Sequence, residues 1–222
     1  MRIEEEIKLD YSDVLFRPKR STLKSRKDVD LNRKYTFKHS RSSWKGIPII
    51  ASNMDGVGEI DVAKKLSSHK LMTALTKQHD INQIGTIYKK NIFFDSIALS
   101  CGTSKDSYNR LNSILKKYPK FKFICIDVAN GYSENFSNFV SEVRKKYPKK
   151  TIIAGNVVTA DMTQELVLSG ADIVKVGIGP GSVCTTRIQT GVGYPQLSAV
   201  IECADAAHGL GAHIIADGGC TC

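Results

Sequence analysis

Residues 114–120, Ile-Leu-Lys-Lys-Tyr-Pro-Lys, lead directly into the apolar run Phe121–Asp127. Residues 143–149, Val-Arg-Lys-Lys-Tyr-Pro-Lys, lead in the same way into the apolar run Thr151–Ala154. In both segments an amphipathic stretch ends in lysines, and a proline stops the helix because it has no N–H group. This helix–turn–strand unit recurs after about thirty residues, the size of one βα repeat. The repeat predicts a chain built from successive βα units.

Seven apolar runs alternate with amphipathic stretches along the chain. Most of these runs are continuously apolar, as expected for parallel strands that are buried on both faces. The predicted strands are Ile47–Ser52, Leu71–Leu75, Ser96–Ser100, Phe121–Asp127, Thr151–Ala154, Ile173–Val176 and His213–Ala216. The predicted helices lie near residues 57–69, 80–90, 104–117, 132–147, 159–169 and 195–209.

Successive βα units form either a (β/α)8 TIM barrel or a doubly wound sheet. A barrel places its active site at the carboxyl ends of many strands, whereas a doubly wound sheet concentrates it at one switch point. The residues suited to a binding site are spread over the ends of five predicted strands, which favours the barrel. They are Asn53, Asp127, Asn156, Gly177–Gly179 and Asp217–Gly219.

The number of strands conflicts with a closed barrel, which needs eight strands where the pattern supplies about seven. The sequence ends with Asp217-Gly218-Gly219-Cys220-Thr221-Cys222, directly after the seventh run. A seven-stranded piece has two open edges, and open edges recruit other strands. We therefore expect residues 1–222 to form a single catalytic barrel domain that is incomplete at its C-terminus.

The composition, with 41% hydrophobic and 24% charged residues, is that of a globular protein. The apolar runs are strand-sized and too short to cross a membrane, and no secretory signal is visible. The six cysteines lack the spacing typical of zinc sites, and the histidines show no metal-ligand spacing. These features predict reduced thiols in a cytoplasmic protein without a membrane partner.

The formal net charge of +10 invites comparison with nucleic-acid-binding proteins. Most lysine pairs lie near the ends of predicted helices, where a cation offsets the helix dipole. The sequence has no arginine-rich arm and no basic stripe interleaved with aromatic residues. We therefore expect no nucleic-acid partner, although an anionic small ligand uses positive potential equally well. The pairs are Lys64-Lys65, Lys89-Lys90, Lys116-Lys117, Lys145-Lys146 and Lys149-Lys150.

The segment Gly177–Arg187 carries the strongest chemical signal. Three alternating glycines follow an apolar strand and allow backbone groups to converge on an ion. Cys184 among such groups, with Arg187 nearby, can act as a thiolate nucleophile, and Thr186 can relay a proton beside it. A glycine-rich turn with an inert cysteine explains the spacing equally well.

The longer segment Val174–Gln196 resembles the catalytic loop shared by GMP reductase and IMP dehydrogenase. The reductase branch is favoured because Thr76–Asp80 runs directly into the next helix, where the dehydrogenase commonly inserts a regulatory domain. The resemblance covers essentially the whole chain. Further segments that resemble the reductase are Leu9–Leu15, Arg17–Ser21, Asp127–Ser133 and Ala154–Thr159.

The resemblance implies NADPH-dependent reductive deamination of GMP to IMP and ammonia, a reaction of purine nucleotide salvage. It implies that Cys184 attacks purine C2 to form a thioimidate and that Thr186 assists proton transfer. Lys77 and Asp127 are the charged pair expected near the reacting carbon. The family resemblance also implies a homotetramer for the full-length protein.

The resemblance further implies three sets of binding residues, each with a plainer alternative. Asp217, Gly218 and Gly219 match the segment that holds the nucleotide, and a plain Asp-Gly turn is the alternative. The other two sets are a K+ site, for which the alternative is a structural loop without an ion, and a set of NADPH contacts. For Ser25 and Arg26 in the NADPH set, the alternative is a solvated surface loop. The positions that match the K+ site are Gly179, Gly181, Cys184 and Arg187. The positions that match NADPH contacts are Ser25, Arg26, Lys77, Asp127, Val128, Ala129, Ile178 and Gly179.

Two other functions stay open at this point. IMP dehydrogenase shares the nucleophile but carries out an NAD-dependent oxidation. The 222-residue chain can also be an inactive nucleotide-binding fragment of the enzyme, because the eighth strand, further phosphate-binding loops and a flap with a catalytic glutamate are expected beyond its end.

Overall fold

The computed structural model of the chain describes residues 3–89 and 94–220. Two short strands, β1 (Arg33–Thr36) and β2 (Ser43–Gly46), form an antiparallel hairpin ahead of the main sheet. The main sheet contains β3 (Ile50–Ala51), β4 (Met72–Leu75), β5 (Ile97–Cys101), β6 (Phe123–Asp127), β7 (Thr151–Val157), β8 (Ile173–Val176) and β9 (His213–Ala216). The helices are α1 (Ile60–Ser68), α2 (Ile81–Lys89), α3 (Lys105–Lys117), α4 (Glu134–Lys146), α5 (Ala160–Leu168), α6 (Thr186–Thr190) and α7 (Gln196–Gly209).

The strands of the main sheet are all parallel, and they lie side by side in the order β3 to β9 in which they follow along the chain. A doubly wound sheet would reverse its strand order at a switch point. The unbroken order is that of a (β/α)8 barrel. The prediction of a barrel with about seven strands is confirmed, and each predicted strand overlaps an observed one.

The sheet curls so that its first and last strands face the same interior. One cavity of about 340 Å³ is lined by Ile50 and Ala51 of β3 and by Ile215 and Ala216 of β9. Within the described residues, β3 pairs only with β4, and β9 pairs only with β8. The strand β3 is shorter than the predicted run, in which Pro48 cannot donate to a ladder.

Side chains alternate between two hydrophobic layers, which explains why the strands are apolar on both faces. On β6, Phe123 and Cys125 join a cluster inside the curled sheet, whereas Ile124 and Ile126 join the larger cluster that also contains helix residues. Residues two positions apart on a strand share a face. This alternation also turns Lys175 of β8 towards the interior, where it lines the cavity just described.

The helices cover the outside of the sheet through one apolar face each. In α4, Phe136, Val140 and Val143 are buried, and the corresponding face of α3 buries Leu111 and Ile114. Both helices end in basic residues, as their lysine pairs predict. Lys90 of the second pair and Cys222 lie outside the described residues. Among the described residues, no helix is both long and apolar enough to cross a membrane.

The β1–β2 hairpin closes the end of the barrel at which the strands begin. Phe37 and Trp44 are buried in the interior cluster together with Phe123, and the rings of Phe37 and Phe123 meet edge to face at 5.6 Å. Trp44 is thus a packing residue. The sequence pattern does not predict the hairpin, because its strands are short and carry charged residues that mask the alternation.

Asp172 joins the hairpin turn to the sheet at this end. Its carboxylate is fully buried and accepts hydrogen bonds at one oxygen from the backbone of His39 (2.7 Å) and Ser40 (3.1 Å). The other oxygen accepts from Arg144 (2.6 Å) and from the backbone of Ile152 (2.9 Å). This buried carboxylate is fully satisfied by four donors, one of which is the Arg144 cation. Each of these partners therefore depends on it.

We expect Asp172→Ala to lower the free energy of unfolding by about 3–5 kcal/mol, because it leaves Arg144 largely buried without a counter-charge. Urea unfolding followed by circular dichroism measures this change. The matched control is Asp95→Ala, which removes an exposed ion pair with Lys122 and should cost about 1 kcal/mol or less. Equal losses in the two variants would contradict the assigned role of Asp172.

Candidate active site at the carboxyl ends of the strands

A cavity of about 650 Å³ opens at the carboxyl ends of the strands. All seven strands of the main sheet contribute to it, either directly or through the loops that follow them. A barrel of this kind places its active site at this end. The lining residues are Ser52, Asn53, Met54, Lys77, Gly102, Thr103, Ser104, Asp127, Val128, Ala129, Asn156, Lys175, Gly177, Ile178, Gly179, Thr186 and Asp217.

Lys175 is the central charged group of this cavity. Its side chain is only 8% exposed, and its ammonium lies 2.7 Å from a carboxylate oxygen of Asp127 and 3.2 Å from one of Asp217. It also donates to Asn53 Oδ1 at 3.2 Å. Burial lowers the pKa of Lys175, but Cys125, Asp217 and Asp127 raise it more, so the net pKa lies above its ordinary value and the group stays charged.

Lys175 is a site residue that the sequence reasoning does not single out. The signal available in the sequence is a lysine within the apolar strand Ile173–Val176, since a buried lysine needs a charged partner. The sequence expectation instead places Lys77 with Asp127 as the charged pair. Lys77 and Asp127 do line the same cavity, but the ammonium that contacts Asp127 belongs to Lys175.

Asn156 orients Asp217 and keeps one buried acceptor unpaired. Its amide nitrogen donates to Asp217 at 2.7 Å and to the carbonyl of Gly177 at 2.8 Å. Its Oδ1 atom is buried and has no hydrogen-bond partner in the described part of the chain. An unpaired buried acceptor is costly.

Glycine is required where the loop after β8 passes the loop after β9. Gly177 has φ of +148°, and a Cβ there would lie 2.5 Å from the carbonyl of Asp217. Gly219 has φ of +68°, and a Cβ there would lie 2.7 Å from Cβ of Pro180. Side chains at these positions would separate the two loops. Gly218 and Gly219 therefore pack beside the segment that leads to Cys184.

Cys184 lies on the exposed part of this loop, just before α6. Its sulfur is 3.3 Å from the hydroxyl of Thr186, and Thr186 itself lines the cavity. The side-chain and backbone hydrogen bonds from Thr186, followed by the charge of Arg187, lower the pKa of Cys184. By contrast, burial raises the pKa of Cys101 to about 12 and that of Cys125 to about 11. Cys184 is thus the thiol whose surroundings favour the reactive thiolate.

Arg187 holds the cysteine loop in place. Its guanidinium donates to the carbonyl of Ile178 at 3.3 Å and to the carbonyl of Tyr194. It also lies 3.5 Å from a carboxylate oxygen of Asp10, which in turn accepts from the backbone of Gln196. The loop is therefore fixed at both ends and to the N-terminal segment.

The remaining predicted residues are distributed as follows. Val128, Ala129, Ile178 and Gly179 line the cavity with Lys77 and Asp127. Ser25 and Arg26, in contrast, lie on the exposed surface, where Ser25 caps a turn by accepting from Lys27 N. In the part of the chain that the structure describes, no cluster of three or more His, Cys, Asp or Glu residues could hold a metal ion.

Comparison with known proteins agrees with this geometry. Residues 8–222 match the model of the IMP dehydrogenase / GMP reductase domain. The chain belongs to the IMP dehydrogenase/GMP reductase family. It is 56% identical to a GMP reductase of Aeromonas hydrophila over 224 residues, covering 100% of this chain and 65% of that protein. It is 59% identical to a GMP reductase of Escherichia coli O157:H7 over 223 residues, covering 100% of this chain and 64% of that protein.

Among solved structures, an IMP dehydrogenase from Legionella pneumophila superimposes with a TM-score of 0.81 at 30% identity. The match covers 96% of this chain and 62% of that protein. The chain thus spans somewhat less than two thirds of the length of these relatives. Its identity is considerably higher to the two reductases than to this dehydrogenase.

We expect iodoacetamide to alkylate Cys184 at a lower pH than an ordinary thiol, because its lowered pKa increases the thiolate fraction near neutral pH. Thr186→Val removes the hydroxyl contact, so the midpoint of the alkylation rate against pH should move upward. Peptide mass spectrometry after timed labelling measures the rate at each cysteine. Thr185→Val is the matched control, since Thr185 makes no side-chain cap hydrogen bond. Identical pH profiles for both variants and the unsubstituted chain would refute the role of Thr186.

Proposed function

We propose that this chain carries the catalytic machinery of a GMP reductase, which converts GMP to IMP and ammonia with NADPH. The observation that carries the proposal is the contact between Cys184 and Thr186 at the edge of a cavity that also contains Lys175, Asp127 and Asp217. The high identity to GMP reductases over the whole chain supports the reductase rather than the dehydrogenase.

In the first step, the Cys184 thiolate adds to C2 of the guanine ring. The C2–N bond then breaks, ammonia leaves, and C2 remains joined to sulfur as a thioimidate. Thr186, whose hydroxyl lies 3.3 Å from the sulfur, is placed to pass a proton to the leaving nitrogen. Cys184 is exposed and does not itself line the cavity, but Thr186, which contacts its sulfur, does.

In the second step, C2 receives a hydride and the C–S bond breaks, which frees the thiolate. NADPH supplies that hydride when bound. Overall, GMP, NADPH and two protons yield IMP, NADP+ and an ammonium ion, so atoms and charges balance. The protein contributes the nucleophile and the alignment of the two ligands.

The residues after β9 suit a nucleotide. Asp217, held by Lys175 and Asn156, can accept hydrogen bonds from a pair of ribose hydroxyls. Gly218 and Gly219 have no side chains that would keep a ligand away from the backbone there. These residues are the proposed GMP contacts.

The proposed NADPH contacts line the same cavity. Lys77 lies in the loop after β4, and Asp127 is the last residue of β6. Val128 and Ala129 follow β6, and Ile178 and Gly179 lie in the loop after β8. The cavity, about 650 Å³ in volume, falls within the usual range for cofactor sites. Ser25 and Arg26 belong to the proposal only through the family resemblance.

A K+ ion is proposed at the carbonyls of Gly179, Gly181, Cys184 and Arg187. In this loop the Gly181 carbonyl accepts from Cys184 N and the Arg187 carbonyl accepts from Gly191 N, both at 3.0 Å. Each carbonyl has a second lone pair that remains available to a cation. A bound K+ would hold the loop that carries Cys184.

The full-length protein is proposed to be a cytoplasmic homotetramer that acts in purine nucleotide salvage. Leu15 and Phe16 support an assembly, because their large apolar side chains are at least 93% exposed. Exposed apolar side chains in one segment are typical of contact surfaces.

We expect GMP-dependent oxidation of NADPH by the full-length protein, measured as loss of NADPH absorbance, and little activity from residues 1–222 alone. Cys184→Ser should reduce turnover by about a thousandfold or more, since it removes the nucleophile. Incubation with IMP and NAD is the control that distinguishes a dehydrogenase. Stabilisation by GMP in a thermal-shift assay without NADPH oxidation would instead identify an inactive nucleotide-binding fragment.

We also expect Lys175→Met to lower kcat/KM for GMP by roughly tenfold or more, because two partly buried carboxylates lose their shared cation. Lys175→Arg should restore part of the loss by restoring the charge. Lys65→Met, on the exposed surface of α1, is the control and should leave the kinetics unchanged. Normal turnover of Lys175→Met would remove Lys175 from the proposed site.

A further inference from the structure

A second cavity, of about 410 Å³, lies at the opposite end of the barrel, where β5, β6 and β7 begin. Three consecutive turns form it, each of which precedes one of these strands. The lining residues are Phe94, Asp95, Pro119, Lys120, Lys122, Lys149 and Lys150. Because the catalytic cavity opens at the carboxyl ends of the strands, this cavity shares none of its residues.

The repeated lysine segments of the sequence meet at this cavity. Residues 116–122 and 144–150 together contain nine basic residues and no acidic residue. The strands that follow them, β6 and β7, are neighbours in the sheet. The two turns are therefore side by side, and their charges add at one place. Solvation of helix ends accounts for the pairs within α3 and α4, but it does not account for the lysines that line a concavity.

Lys150 is the least favourably placed of these cations. Its ammonium donates to the carbonyls of Pro119 at 2.6 Å and Phe121 at 2.5 Å, and it forms no ion pair within the described residues. Burial, followed by the charge of Lys122, lowers the pKa of Lys150. An anion in the cavity would offset both effects.

The charge of the lining determines what kind of anion fits. Four lysines face a single carboxylate, Asp95, which already lies 2.8 Å from Lys122. The excess is three positive charges, which is more than one phosphate group carries near neutral pH. Lysine ammonium groups bind phosphate as point charges without demanding one geometry. A concave site suits a compact ligand better than an extended nucleic acid.

We propose that this lysine cavity binds a compact polyphosphate anion. The ligand is either inorganic tripolyphosphate or the triphosphate group of a nucleotide, and both share the chemistry that Lys120, Lys122, Lys149 and Lys150 recognise. The site is separate from the catalytic cavity, so it does not depend on the reaction proposed above. Phe94 and Pro119 leave an apolar patch in the same cavity, which can cover the non-phosphate part of a nucleotide.

The test measures binding of tripolyphosphate, ATP, AMP and inorganic phosphate to the whole chain by isothermal titration calorimetry at one fixed ionic strength. We expect saturable binding of tripolyphosphate and ATP, with weaker binding of AMP and phosphate. Lys149→Glu should weaken tripolyphosphate binding by about tenfold or more, because it reverses one of the four charges. Equal affinity for ATP and tripolyphosphate identifies the phosphates as the group recognised, and tighter binding of ATP identifies a nucleotide.

Lys65→Glu is the matched control, because Lys65 is an exposed lysine in the last turn of α1 and is not part of the cavity. Lys149 is exposed, so its replacement should leave the unfolding temperature unchanged. Lys120→Glu is a second variant that should also weaken tripolyphosphate binding. The proposal is overturned if Lys149→Glu and Lys65→Glu weaken binding equally, or if no saturable binding occurs. Tighter, Lys149-dependent binding of a short single-stranded RNA would also overturn it, in favour of a nucleic-acid surface.

Discussion

The ammonium of Lys175 and the carboxylates of Asp127 and Asp217 form the interaction on which the catalytic end of the barrel depends. The three groups come from β8, the end of β6 and the loop after β9. The Lys175 ammonium is costly at this depth alone, since a buried charge requires a partner, and the two partly buried carboxylates supply one. Their mutual contacts therefore hold three parts of the barrel in register. Asn156 extends the same network to the cysteine loop through the Gly177 carbonyl.

The loop that carries Cys184 is held in place at both ends, while Cys184 itself is exposed. Arg187 ties it to Ile178, Tyr194 and Asp10, and close contact between Gly219 and Pro180 keeps it against the neighbouring loop. Cys184 itself remains exposed and contacts Thr186. This combination suits the proposed nucleophile, because its position must be reproducible while its sulfur remains open to substrate.

The two ends of the barrel serve different purposes in the same framework. At the carboxyl ends of the strands, charges of both signs converge around a cavity. At the amino ends, the hairpin fills the interior with Phe37 and Trp44, and Asp172 accepts hydrogen bonds from the turn between the two hairpin strands. Beside this packed end, the lysine-rich turns before β6 and β7 produce a positively charged surface. The packing that stabilises the barrel and the residues of the proposed active site therefore lie at opposite ends, as is usual for this architecture.

The sequence by itself determined the seven parallel strands and most of the helices between them, because apolar periodicity is a local property of the chain. It also made Cys184 the candidate nucleophile, through the resemblance of its loop to a known family. It also indicated that Asp127, Asn156 and Asp217 gather at one end, since parallel strands share a direction. Only the tertiary structure decided that Lys175 is the partner of Asp127 and that Ser25 and Arg26 lie outside the cavity. It also decided that the hairpin closes the opposite end and that two lysine turns line one cavity. These are contacts between residues far apart in the chain, and they depend on the curl and register of the sheet, which no local pattern encodes.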